Sequence, residues 1–250
     1  MYRPRVIPVL LLKDKALVKS IGFKKHNYIG DPINAVKIFN DLRADELVFL
    51  DIEASRRDRL VSLDFVKDVG EEANMPFAVG GGIRTLENIQ SIIRAGAEKV
   101  IIGSEAVKRP TFIREATDAF GSSTICVCID IKKKLLGDQK VWTINGTKAS
   151  SYAPVEFALL MEQQGAGEII IQSIERDGMM QGYDIALVKS IAEAVSIPVV
   201  ALGGAGKMEH LKEVYQKGFA NGLASGSFFV YQGEKRGVLI SYPEKEELNF

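Results

Sequence analysis

Two glycine clusters in this 250-residue chain are suited to hold an anion. Gly80-Gly81-Gly82 and Gly203-Gly204-Ala205-Gly206 each end a short apolar run and open a helical pattern. Bare backbone lets N–H groups approach a phosphate, and the positive end of a helix dipole favours it there. Gly103-Ser104 and Ser225-Gly226-Ser227 end the next apolar run in each case. Gly81 and Gly82 with Gly103 and Ser104 thus form one candidate phosphate site, and Gly203 and Gly204 with Ser225 another. Two such sites suit a phosphorylated small molecule with a phosphate at each end. A lone glycine turn would say little, because tight turns need glycine anyway. Two matched pairs say more.

Other reactive residues are sparse. His26 and His210 lie far apart with no ligand spacing, so no metal site is expected. Cys126 and Cys128 alternate within one apolar run, which points both thiols to one face of a strand. They read as small buried side chains in a reducing compartment, without a disulfide. Lys and Arg number 32, as do Asp and Glu, so net charge gives no reason to expect nucleic acid or an anionic membrane as partner. No apolar run approaches the length that spans a bilayer, and no secretory leader pattern opens the chain. A cytoplasmic location is expected.

The elements that must position these turns follow from hydrophobic patterning. Eight apolar runs, rich in β-branched residues, occupy 6–12, 47–52, 77–79, 100–102, 125–129, 169–171, 199–202 and 222–224. Runs apolar on both faces suit buried parallel strands. Amphipathic stretches at 33–42, 63–73, 86–95, 111–119, 154–164, 185–195 and 208–217 separate them. Alternating β and α units predict an α/β fold, and eight of them predict one closed (β/α)8 TIM barrel. Asp31-Pro32 and Thr85 read as helix starts, and Gly96, Gly165 and Gly218 as helix stops.

The chain also repeats itself. Pro76 and Pro198 lie 122 positions apart in similar contexts, as do Glu46 and Glu168. A repeat of half the length fits two four-strand halves, about 1–121 and 122–230, followed by a tail over 231–250. Two long connections, 13–30 and 132–151, hold equivalent places in the halves and read as lids. The tail shows no convincing eighth helix, and its apolar run 238–242 suits contact with a partner or a second copy.

With these residues assembled, the sequence resembles the cyclase subunit of imidazole glycerol phosphate synthase, of histidine and purine-precursor metabolism. The likeness runs through Asp45–Asp51, Val79–Ile83, Ala95–Lys99, Gly165–Glu168, Ser173–Gly178 and Gly203–His210. It implies a glutaminase subunit docked on the N-terminal face of the barrel. Ammonia would pass through the barrel to a bisphosphorylated ribulosyl substrate at the other end, with no cofactor. It implies a salt-bridged ammonia gate formed by Arg5, Glu46, Lys99 and Glu168, two positive and two negative. It also implies substrate or phosphate contacts at Lys19, Asp51, Asp177, Gly178 and Ala224. Finally, it implies a general acid and a general base, one aspartate per half. Asp130 is the second. The first position is Leu11, because Leu11-Leu12-Lys13 pairs with Asp130-Ile131-Lys132.

Leucine cannot transfer a proton, and Asp14 lies three residues further on. Ile101, Gly103, Gln172 and Glu53 also depart from the pattern on the same face. The contrast between a kept gate and a broken acid–base pair resembles paralogues found with surface-polysaccharide amidation genes. Those pair with a glutaminase and supply ammonia to a separate sugar amidotransferase. Two other readings stand beside this one: an active cyclase using Asp130 with a substitute acid, and a non-catalytic barrel that binds a phosphorylated ligand.

Overall fold

A computed structural model describes residues 3–134, 137–233 and 235–248. Leu135 and Leu136 of the second long connection, and Glu234, Asn249 and Phe250 of the tail, lie outside the described residues, as do Met1 and Tyr2. Eight parallel strands form the centre: β1 (Arg5–Lys13), β2 (Leu47–Asp51), β3 (Phe77–Gly80), β4 (Lys99–Ile102), β5 (Ile125–Lys133), β6 (Glu168–Ser173), β7 (Val199–Leu202) and β8 (Gly222–Ser225). Each pairs with the next, β5 pairs with β6, and β8 returns to β1 with Arg5 opposite Gly222. The sheet is therefore a closed barrel.

Strand alternation divides the core into two layers. Ile7, Val9, Val48, Ala78, Ile101, Cys126, Ile170 and Val200 fill the inside of the barrel. Val6, Leu10, Phe49, Val79 and Ile171 point outward into a larger layer shared with the helices. This is why the strand runs read as apolar throughout. Cys126 and Cys128 both belong to the inner layer and are free thiols.

The helices are α1 (Pro32–Asp41), α2 (Leu63–Glu72), α3 (Leu86–Arg94), α4 (Ser104–Lys108), α5 (Thr111–Phe120), α6 (Pro154–Gln163), α7 (Ile185–Ala192) and α8 (Met208–Gly218). Asp31 caps α1 by accepting from Asn34 N–H at 2.8 Å, and Thr85 caps α3 through Asn88 N–H at 3.2 Å. Gly96 and Gly165 follow α3 and α6 with positive φ, as helix stops do. Gly218 differs: it is the last residue of α8, and Phe219 takes the left-handed position at φ 58°. No helix among the described residues is long and apolar enough to cross a membrane.

The two long connections are β-hairpins. β1 continues into Ala16–Ile21, which pairs with Lys24–Gly30. Both turns, Asp14-Lys15 and Gly22-Phe23, carry two residues with positive φ, the geometry that matches strand twist in a two-residue hairpin. β5 likewise runs into Gln139–Thr143, which pairs with Lys148–Ala149. Among the described residues no helix follows β8. A small hairpin, Tyr231–Gln232 with Gly237–Val238, takes up the chain there. The tail then returns to the barrel. Tyr242 is buried, stacks on Phe229 at 5.7 Å, donates through Oη to Val6 O at 2.9 Å, and accepts from Asp45 N–H at 3.2 Å. Val238 and Leu239 remain exposed.

Candidate functional site

The C-terminal strand ends enclose a cavity of about 600 Å³. Val9, Leu11, Leu50, Ile101, Cys128 and Leu202 give it an apolar floor, interrupted by Asp130 and Gln172. Gly81, Gly82, Gly103 and Ser104 line one side, and Asp177, Gly178, Gly203, Gly204 and Ser225 line the other. Lys19 and Asp51 also face it. Ala224 does not: it is fully buried below, and its carbonyl accepts from Tyr183 Oη at 2.9 Å.

The glycines are required by space. Gly82 has φ 70°, and a Cβ there would lie 1.8 Å from Arg59 O. Gly204 has φ 114°, and its Cβ would meet Gly182 O at 2.2 Å. Asp51 stabilises the turn after β2. Its carboxylate accepts from Glu53 and Ala54 N–H at 3.0 and 3.1 Å and from both Arg59 guanidinium nitrogens at 2.6 and 3.2 Å. The Ser104 hydroxyl accepts from Ile144 N–H at 3.0 Å, and that of Ser225 from Phe228 N–H at 3.3 Å.

Five ionisable groups in the cavity are perturbed: burial raises the Cys128 thiol and lowers the His26 imidazole, and Asp130, Asp177 and Lys19 are shifted as well. Burial pushes the Asp130 carboxyl up to about 7; the nearby Asp177 charge adds to this, against a thiol contact from Cys128 at 3.8 Å. Burial also raises Asp177, whose carboxylate accepts from Ser20 Oγ at 2.7 Å and Phe23 N–H at 3.1 Å. Lys19 is almost wholly enclosed and donates to Val9 O at 2.6 Å. Burial pushes its amine down to about 7, with Asp177 opposing. Leu11 lies on β1 opposite Val18 and Leu50, with no polar atom to offer. Asp14 sits in the hairpin turn, paired with Arg57 at 2.8 Å, and does not line the cavity.

The hairpins supply cavity residues that patterning does not reveal. Phe23 and His26 come from the first, Ile144 and Asn145 from the second. Asn145 Nδ2 donates to Ile52 O at 2.8 Å, so the second hairpin rests on the first half. The first rests on the second half through Asp177.

At the opposite mouth the four strand-start charges form a closed ring. Arg5 bonds both Glu46 and Glu168, while Lys99 reaches Glu46 at 3.1 Å and Glu168 at 2.9 Å. Burial opposes charge on Lys99 and Arg5, but the two glutamates outweigh it and raise both above their ordinary values. Directly above the ring, Ile7, Ala78, Cys126, Ile170 and Val200 help to line a void of about 10 Å³. That is room for about one water-sized molecule. Ile101 lines both this void and the upper cavity. Among the described residues no cluster of His, Cys, Asp or Glu is arranged to hold a metal ion.

Known proteins resemble this chain in sequence. A family described as histidine biosynthesis protein matches residues 5–236. A relative in Pseudomonas aeruginosa, named "Putative imidazole glycerol phosphate synthase subunit hisF2", is 44% identical over 249 residues, spanning 100% of this chain and 99% of its own. The "Imidazole glycerol phosphate synthase subunit HisF" of Geobacillus kaustophilus is 41% identical over 250 residues, again covering 100% of this chain and 99% of its own. The chain is a HisF-type member of the histidine biosynthesis protein family.

Proposed function

We propose that this barrel is the synthase component of a glutamine-dependent complex and acts chiefly as an ammonia conduit. A glutaminase subunit docks on the N-terminal face, and ammonia passes the ring of Arg5, Glu46, Lys99 and Glu168. The observation that carries this reading is that ring, closed by four ion pairs beneath a void of single-molecule size. Paired opposite charges let buried ions persist, and a small rearrangement opens a path without leaving any charge alone. The upper cavity binds a phosphorylated ligand on its two sets of turns. Leu11 leaves Asp130 without a carboxyl partner, so the ammonia is passed to a separate enzyme that amidates a surface-polysaccharide sugar.

Lys99→Met tests the conduit. In complex with the glutaminase, it should release glutamine-derived ammonia into bulk solvent while glutamine hydrolysis continues. Unchanged retention of ammonia in that variant would end this reading. A second reading has one observation in its favour: Asp130, held near neutrality, is suited to take up and release a proton itself. Under that reading the protein is an active imidazole glycerol phosphate synthase cyclase with a substitute for the carboxylate absent at Leu11.

A further inference from the structure

We propose that the upper cavity captures a carbonyl compound covalently, with Lys19 Nζ condensing with the aldehyde or ketone carbon of a sugar phosphate seated on the Gly203-Gly204 and Ser225–Ser227 turns. This rests on the reading of those turns as a phosphate site. The amine is placed for it. Lys19 extends from the first hairpin into the cavity, is 5% exposed, and has Val9 O as its hydrogen-bond acceptor. A Cβ on Gly226 would lie 2.5 Å from Nζ, so the amine rests against the turn that follows β8.

No carboxylate among the described residues forms an ion pair with Lys19. The acidic charge that reaches it, Asp177, is already bonded to Ser20 and Phe23. On the paired hairpin strand Lys19 stands opposite Asn27, which carries no charge. A buried lysine without a paired anion gives up its proton readily, and the free amine is a nucleophile. Burial brings this one to about 7, with the Asp177 charge opposing.

The step balances without an oxidant or a further reactant. The neutral amine adds to the carbonyl carbon, forming a C–N bond and a carbinolamine. Its hydroxyl then departs as water, taking its last proton from a cavity carboxyl. Asp130, on the same cavity floor, can supply that proton and recover one from the amine nitrogen. The product is an imine, and the reverse sequence releases the carbonyl compound.

The test is reductive trapping on the whole protein. The chain is incubated with glyceraldehyde 3-phosphate and sodium borohydride, and adducts are located by peptide mass. One equivalent on Lys19 is expected, reduced at least tenfold with glyceraldehyde lacking the phosphate and by excess inorganic phosphate. Lys19→Met and Lys19→Arg should both lose the adduct, the second keeping the cation should the first fold poorly. Inorganic phosphate binding is measured in parallel by calorimetry. If phosphate binds but labelling is absent or spread over surface lysines, the carbonyl-capture proposal is overturned and the phosphate site stands. If phosphate does not bind and labelling is indifferent to it, the phosphate-site reading fails and takes this proposal with it.

Discussion

Position 11 and position 130 occupy equivalent places in the two halves, yet one is an alkyl group and the other a carboxyl held near 7. That asymmetry has a thermodynamic signature. An aspartate with an ordinary value near 3.8 and a folded value near 7 binds more protons folded than unfolded between those limits. Its contribution therefore favours the fold at low pH and turns into a cost as pH rises through about 7. Asp130→Asn removes the cost, so it should raise Tm by about 2–4 °C at pH 8 and change it little at pH 4. A thermal melt showing equal effects at both pH values would contradict the buried, perturbed state of this carboxyl. The ring at the other mouth predicts the opposite kind of sensitivity. Lys99→Met leaves Glu46 and Glu168 with Arg5 alone. Because Lys99 and Arg5 are partly exposed, the cost should be about 1–3 kcal/mol, below that of a fully buried broken pair. Chemical denaturation checks it.

Each half sends a hairpin over the other, and the two tips meet. A Cβ on Gly146 would lie 3.2 Å from the Phe23 ring and 2.9 Å from Ile174. Asn145→Ala, which removes the bond to Ile52 O, should loosen the second hairpin and increase hydrogen exchange across 139–149 several-fold while leaving the barrel strands protected. Uniform exchange throughout would show that the hairpin and barrel open together. Gly204→Ala should cost about 2 kcal/mol or more, since it joins an unfavourable φ to a backbone clash. The barrel strands were legible because a run buried on both faces has no competing pattern. The hairpins were not, because Asp14-Lys15 makes its turn without glycine and strands such as Lys24–Gly30 are largely polar and exposed. The short α4 was missed for a related reason: five residues are too few to show a helical period. Among site residues, the glycines declared themselves through their clustering, whereas His26 and Asn145 reach the cavity only through the path of the hairpins.

Across the whole molecule, the tail stands where a final helix would and ties the last strand to the end that carries the charge ring. Tyr242 bridges Val6 and Asp45, the neighbours of Arg5 and Glu46, while Arg3 holds Asp45 at 2.6 and 3.0 Å. Tyr242→Phe keeps the ring against Phe229 but deletes both hydroxyl bonds, so a loss of about 1–3 kcal/mol is expected in denaturant titration. No change would mean that the hydroxyl bonds do not hold these strand starts. The sequence made the two ends of the barrel readable separately, through charges at strand starts and glycines at strand ends. What joins them, an apolar lumen and a returning tail, depends on closure of the sheet. The proposed role of this barrel is to pass ammonia through the ring of Arg5, Glu46, Lys99 and Glu168, without two-aspartate chemistry at the upper cavity that Leu11 lines. Its most direct test is cyclase turnover of the purified chain with excess ammonium and the bisphosphorylated ribulosyl substrate. No significant turnover is expected, whereas a rate matching that of a two-aspartate cyclase would contradict the ammonia-conduit role.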